Sequence, residues 1–146
     1  MLTRYSIIKD EAGREYTRKA AVYALEEHGI ARERVDEDAV RLIRRLRQAG
    51  FQGYVVGGAV RDLLVGIEPK DYDIATNAHP NAVRKLFRSA RVIGRRFRLV
   101  HVYTRRDKYL EVATFRSGRD GEESPFGTMA EDAWRRDFTL NALYYC

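Results

Sequence analysis

The stretch FQGYVVGGAVRDLLVGIEPKDYDIAT, residues 51–76, sets the plan of the chain. Phe51 to Val56 reads as a buried strand, because a short run of aromatic and β-branched residues suits a pleated surface covered on both faces. Gly57 and Gly58 end it. Ala59 to Val65 then fits a short helix closed by Gly66, and Asp71 to Thr76 alternates polar and apolar residues as a half-buried strand does. Residues two apart in a strand share a face, so Asp71 and Asp73 project together while Tyr72 and Ile74 turn inward.

Two carboxylates held side by side repel by roughly 4 kcal/mol at about 4 Å with an effective dielectric near 20. A cation relieves that repulsion. All-oxygen ligands suit Mg²⁺ or Mn²⁺, which prefer a few carboxylates together with substrate phosphates. Taken alone, the same D-x-D also fits a solvated pair at a strand edge. Gly57 and Gly58 open a helix directly after a buried strand, which lets backbone N–H groups approach a phosphate closely. Arg61, one turn in, can reach the same anion, and Asp62 can pair with Arg61 or accept from a sugar hydroxyl. A plain tight turn also explains a lone Gly-Gly. No Gly-Lys-Ser/Thr follows, and the G-x-G-x-x-G spacing is absent. A glycine cradle and a D-x-D separated by one short helix is rarer than either part.

Upstream, Asp36 is a plausible N-cap. Val40, Leu42, Ile43 and Leu46 form an apolar stripe at helical spacing, and Gly50 suits the helix end. Arg41, Arg44, Arg45 and Arg47 fall on the other side as a solvated face rather than an RNA track. Residues 1–35 are charged and weakly periodic, with at most a short helix ended by Gly29, and read as a flexible or loosely docked arm. Downstream, Pro80 to Ser89 forms a helix. Arg91 to Ile93, Phe97 to Thr104 and Tyr109 to Phe115 form strands, the last two joined by the turn Arg105 to Lys108. Ser117 to Gly127 reads as a mobile loop. A helix over about Met129 to Arg136 and an apolar tail, Phe138 to Tyr145, complete the chain. The expected architecture is α+β, a mixed sheet of about five strands with flanking helices, occupying residues 36–146.

At 146 residues with 45% hydrophobic residues, one domain with a sizeable core is the expectation. A net charge of +6, mostly from arginine, favours a polyanionic partner. Cys146 is the one cysteine, so no intrachain disulfide forms and a reducing compartment fits. Neither a signal-peptide core nor a membrane-length apolar window is present. The expected location is therefore the cytoplasm, without a membrane partner.

Glu111 stands among Leu110, Val112 and Ala113, where a charge within a strand calls for a reason. If its strand lies beside the D-x-D strand, Glu111 completes a three-carboxylate nest able to bind two metals. The alternative is an outward-facing glutamate. Arg95, Arg96 and Arg98 can contact RNA phosphates or form a basic turn between strands. His101 reads as a satisfied strand histidine, and His28, His79 and Trp134 as packing or loop residues. Arg135, Arg136 and Asp137, at a helix end, fit a plain surface ion pair.

An apolar residue, Gly-Gly, about a dozen residues and then D-Y-D-I resembles the nucleotidyltransferase superfamily of DNA polymerase beta. The fuller set YVVGGAVRDLLVG, KDYDIATNAHPNAVRKLF, EVATFRSG and EDAWRRDFTLNAL is similar to the class II template-independent RNA polymerases, the bacterial poly(A) polymerases and tRNA CCA-adding enzymes. It covers roughly Asp36 to Tyr145. The resemblance implies a polymerase beta-like head domain in which Asp71 and Asp73 bind catalytic Mg²⁺ or Mn²⁺ and Glu111 is the third acidic residue. It further implies that Gly58 and Arg61, with Gly57 and Asp62 in the same cradle, contact the incoming nucleotide. Arg136 and the acidic Asp137 would line its pocket.

The stretch VIGRRFRLVHV, residues 92–102, resembles a segment of the bacterial poly(A) polymerases. It implies ATP and an RNA 3′ end as substrates and AMP addition as the reaction. CCA addition is the nearest alternative, and a non-catalytic RNA- or nucleotide-binding module is a second. In that family, helical neck and body regions that recognise the base follow the RRDFTLNAL motif. They are missing from this chain, so choice between ATP and CTP is not legible in these residues.

Overall fold

The computed structural model describes residues 1–10, 12–95, 98–105, 108–117 and 126–146. Their main sheet has six strands in the order β5-β6-β7-β4-β3-β8. These are β3 (Tyr54–Val56), β4 (Asp73–Thr76), β5 (Ala90–Ile93), β6 (Leu99–Tyr103), β7 (Tyr109–Thr114) and β8 (Tyr144–Tyr145). The β4–β7 pair is parallel and the other pairs are antiparallel. The mixed α+β plan therefore stands. The sixth strand comes from the tail, where Val55 pairs with Tyr145 and Val56 with Tyr144.

Helices α2 (Glu37–Gln48), α3 (Gly58–Leu64) and α4 (Pro80–Leu86) supply one side of the core. Asp36 caps α2, its carboxylate accepting from the N–H groups of Asp38 and Ala39. Ala39, Leu42, Ile43 and Leu46 are buried, and Val40 is only partly so, while the arginines between them are exposed. Leu42 and Leu46 pack in one cluster with Val60 and Leu63 of α3, Val83 of α4, and Ile74, Val100, Leu110 and Val112 of the sheet. A second, smaller cluster on the opposite face joins Val56, Ala75 and Phe115 to Tyr54, Tyr144 and Met129 of α5 (Met129–Trp134). Among the described residues, helices thus cover one face of the sheet, while hydrophobic packing on the other gathers near β3 and β8.

Three expectations change. Residues 1–35, read as an arm with at most a short helix, also carry a ribbon: β1 (Leu2–Lys9) and β2 (Glu15–Val22) pair along their whole length, Leu2 opposite Val22 through Lys9 opposite Glu15. The turn is held by Asp10, whose carboxylate accepts from the N–H groups of Ala12 and Arg14, with Gly13 at φ +74°. A lone two-stranded ribbon is marginal in water. Here Arg18 lays its guanidinium over the Trp134 ring, 4.5 Å from the centroid, and docks the ribbon on α5. Gly29, at φ +64°, does end a short helix, α1 (Leu25–His28). Second, Ile30 and Val35 are buried in the main core, so packing reaches upstream of Asp36. Third, the tail does not pack throughout, since Phe138 and Leu140 are exposed.

The expected strand before Gly57 shortens to Tyr54–Val56, and the D-x-D strand begins at Asp73. Alternation nevertheless holds: Asp71 and Asp73 are exposed, Tyr72 and Ile74 buried. The mobile loop read at 117–127 lies mostly outside the described residues, as do Arg96, Phe97 and part of the turn 105–108. Among the described residues, no helix is long and apolar enough to cross a membrane.

Candidate active site

One row of residues crosses all six strands. Arg91 pairs with His101, His101 with Glu111, Glu111 with Asp73, Asp73 with Val56, and Val56 with Tyr144. Directly paired residues share a face of a sheet, here the face away from α2, α3 and α4. The parallel pairing of β4 with β7 thus brings Glu111 alongside Asp73, the condition on which its acidic role depended. Asp73 responds to that setting. Partial desolvation pushes its carboxyl above the usual range, the negative charges of Glu111 and Asp71 add to the effect, and Arg136 opposes it.

The three acids are not closed into one cluster. Among the described residues, no three His, Cys, Asp or Glu side chains are gathered closely enough to hold a metal ion. The Glu111 carboxylate lies 3.4 Å from Nε2 of His101. His101 also stacks on Tyr109, with centroids 4.1 Å apart and ring planes 15° from parallel. His101 thus stands among groups at the site.

The glycine turn lies at the end of the neighbouring strand. Gly57 has φ +68° and ψ −132°, a conformation reserved for glycine. Its N–H donates to the Leu143 carbonyl at 3.1 Å, tying the turn to the tail. A Cβ at Gly57 would stand 3.6 Å from a guanidinium nitrogen of Arg136. Over Gly58 reaches Arg61, with Nη2 3.4 Å from the position of a Cβ. Arg61 is exposed and grips Asp62 through Nε and Nη2 at 2.9 and 2.7 Å, so of the two roles open to Asp62 the structure displays the ion pair.

Arg136 does not form a plain surface pair with Asp137. Its Nη2 and Nε donate to Asp132 Oδ2 and to the Tyr144 hydroxyl, each at 3.2 Å, and Nη1 donates to the Asn141 carbonyl at 3.3 Å. Asp132 is the centre of this network. It is 3% exposed, yet accepts from the Tyr144 hydroxyl at 2.5 Å, the Arg116 N–H at 3.2 Å and Arg135 Nε at 3.1 Å. Burial alone would raise its carboxyl. The Tyr144 hydrogen bond and the charges of Arg136 and Arg135 outweigh burial and hold it below the usual value. Burial and the adjacent Asp132 anion in turn push the Tyr144 hydroxyl well up.

The structure thus brings together Asp73, Glu111, Gly57 and Arg136, with Asp71 two residues before Asp73. Arg61 and Asp62 flank Gly58. Asp137 is exposed and is not among the charges that act on Asp73. Arg95 and Arg98 are exposed around the β5–β6 turn. Sequence reasoning missed Asp132 and Tyr144. A signal was present: Asp132, Arg135 and Arg136 are spaced i, i+3 and i+4, so one helix face carries an acid beside two arginines.

Residues 53–146 match the family described as the poly(A) polymerase head domain. Poly(A) polymerase I of Salmonella typhi is 48% identical over 137 residues, covering 82% of this chain and 29% of that protein. The CCA-adding enzyme of Geobacillus kaustophilus is 41% identical over 114 residues, covering 73% of this chain and 28% of its own length. Among solved structures, the Bacillus stearothermophilus CCA-adding enzyme in complex with CTP superposes with a TM-score of 0.67 at 41% identity, over 74% of this chain and 27% of the other. The chain belongs to the poly(A) polymerase head domain family, on a nucleotidyltransferase fold. It spans about a third or less of the length of these relatives.

Proposed function

We propose that this chain, with residues 36–146 as its catalytic part, is the head of a template-independent nucleotidyltransferase that adds AMP from ATP to RNA 3′ ends. The observation that carries the reading is the parallel register of Asp73 and Glu111 beside the Gly57 turn and Arg136. Asp71, Asp73 and Glu111 offer only oxygen donors, and Asp73 is partly desolvated with two like charges acting on it against Arg136, a setting that fits a hard divalent cation such as Mg²⁺ or Mn²⁺. Divalent metal at these carboxylates supplies acidification of the RNA 3′-hydroxyl and charge neutralisation of the triphosphate.

The remaining roles belong to the chain. Gly57 and Gly58 let the triphosphate approach the backbone, and Arg61 is free to exchange Asp62 for phosphate oxygens, because an exposed ion pair is worth only about 1 kcal/mol or less. Arg136, oriented by Asp132 and Tyr144, stands beside the Gly57 turn with its charge felt at Asp73 and faces the triphosphate there, with Asp137 at the margin. The RNA 3′ oxygen attacks the α-phosphorus in line. A new P–O bond forms, the bond to the leaving pyrophosphate breaks, and the hydroxyl proton passes to solvent. Arg95, Arg96 and Arg98 meet RNA phosphates. The single cysteine fits a reducing compartment, and we place the reaction in the cytoplasm.

Addition of CCA to tRNA is the second reading, because relatives named CCA-adding enzymes share the fold. The stronger match to poly(A) polymerase I favours the first. An RNA extension assay with ATP or CTP and Mg²⁺, using the protein that contains this chain, tests both. A long A tail is expected. A three-nucleotide CCA end replaces the first reading with the second, and transfer that survives Asp71→Ala or Asp73→Ala overturns the metal site. If the head binds ATP and RNA without transfer, it is a binding module.

A further inference from the structure

The open face of the sheet carries a set of side chains that the nucleotide chemistry does not use. From Glu111 outward, His101 stacks on Tyr109, Tyr109 stands 5.8 Å from Tyr103 between ring centroids, and the Arg91 guanidinium lies 5.4 Å over the Tyr103 ring. Arg91 sits two strands from Glu111, about 10 Å across the sheet. Cross-strand packing accounts for His101 meeting Tyr109. It does not account for a tyrosine left 47% exposed, one ring from an exposed arginine, on a face that the described helices leave open. Tyr109 keeps that exposure although its ring stacks on His101 and meets Tyr103.

We infer that Arg91, Tyr103, Tyr109 and His101 form a stacking track for the last nucleotides of single-stranded RNA, leading the 3′ end to Asp73 and Glu111. The proposal rests on the reading of the site given above. A base laid on Tyr109 extends the His101–Tyr109 stack by one ring. Arg91, at the far end, meets a backbone phosphate, and exposed Arg95 and Arg98 continue the positive edge. Aromatic faces take any base, whereas a duplex hides its base faces within its own stack. The track therefore selects single strands without reading sequence. His101 joins track and site, since the imidazole that stacks on Tyr109 also lies 3.4 Å from the Glu111 carboxylate.

Fluorescence anisotropy of a 5′-labelled single-stranded oligoadenylate with this chain, in parallel with calorimetric ATP binding, tests the track. Tyr109→Leu is expected to weaken oligonucleotide binding about 5- to 150-fold, while Tyr109→Phe keeps the ring and the affinity. Arg91→Ala lowers the salt slope of binding by about 0.7. ATP affinity does not change in these variants. The inference is overturned if Tyr109→Leu melts like the parent and binds oligoadenylate as tightly, if a matching duplex binds as well as the single strand, or if ATP and RNA binding fall together. Should Tyr109→Leu not fold, an unchanged salt slope in Arg91→Ala overturns it. Asp73→Asn separates the two readings: transfer retained in that variant overturns the proposed reaction and leaves the track standing, whereas lost transfer with a failed Tyr109 test does the reverse.

Discussion

Asp73 and Asp132 are both acids beside Arg136, and the protein treats them in opposite ways. Asp132 is buried and surrounded by four donors, from Tyr144, Arg136, Arg135 and the Arg116 backbone, and its carboxyl is held below the ordinary range. Asp73 is exposed, has Glu111 and Asp71 for neighbours, and its carboxyl is pushed above that range. One anion is satisfied within the fold, so it serves stability and orients Arg136. The other is partly desolvated and has two like charges acting on it, with Arg136 opposing them. Carboxyls perturbed in this way cluster at functional sites.

The largest expected effect breaks this contrast at Asp73. Asp73→Asn should lower nucleotide transfer by about a thousandfold or more, the scale of removing a charge-stabilising group from a preorganised site. The same change should leave the metal-free protein as stable as the parent or more so in thermal melting, because it removes a repelled charge. A melting temperature well below the parent's would show Asp73 to be structural.

Asp132→Ala should do the opposite. Removing one partner of a buried pair costs about 3–5 kcal/mol, read as a lower urea midpoint. The lower end applies, since the Arg136 side chain keeps 21% exposure and water takes up part of its charge. Loss of transfer without loss of stability would move Asp132 from the scaffold to the chemistry.

The smallest effect is the pH dependence. Asp73 has a folded value above its ordinary 3.8, so between 3.8 and that raised value the folded state holds more protons and stability falls as pH rises. Asp73→Asn should flatten this slope. Asp132 has a folded value below 3.8, so its contribution is complete above 3.8 and is lost as pH falls through the depressed value. Urea titrations of parent and Asp73→Asn from pH 3 to 7 separate the two acids, and parallel curves above 3.8 would contradict the assignment to Asp73.

Features set by neighbouring residues were legible. The Asp36 cap, the α2 stripe, the Gly57 turn and the alternation through Asp71, Tyr72, Asp73 and Ile74 all follow from local period and backbone stereochemistry. The N-terminal ribbon was less so. Arg4, Ser6, Arg18 and Lys19 blur its alternation, and its dock on Trp134 depends on a helix far along the chain. The Asp132 network was missed because a mid-helix aspartate looks the same in sequence whether it faces solvent or three cationic and hydroxyl partners.

By itself, the sequence determined that a strand, a glycine turn, a short helix and a carboxylate-bearing strand follow one another, because each depends on contacts within a few residues. Only the tertiary structure decided that Glu111 lies beside Asp73 and that the tail adds a sixth strand against Val55 and Val56. Those pairings join residues far apart in the chain. Their register is chosen by how the two faces of the sheet pack, and no local pattern carries that information.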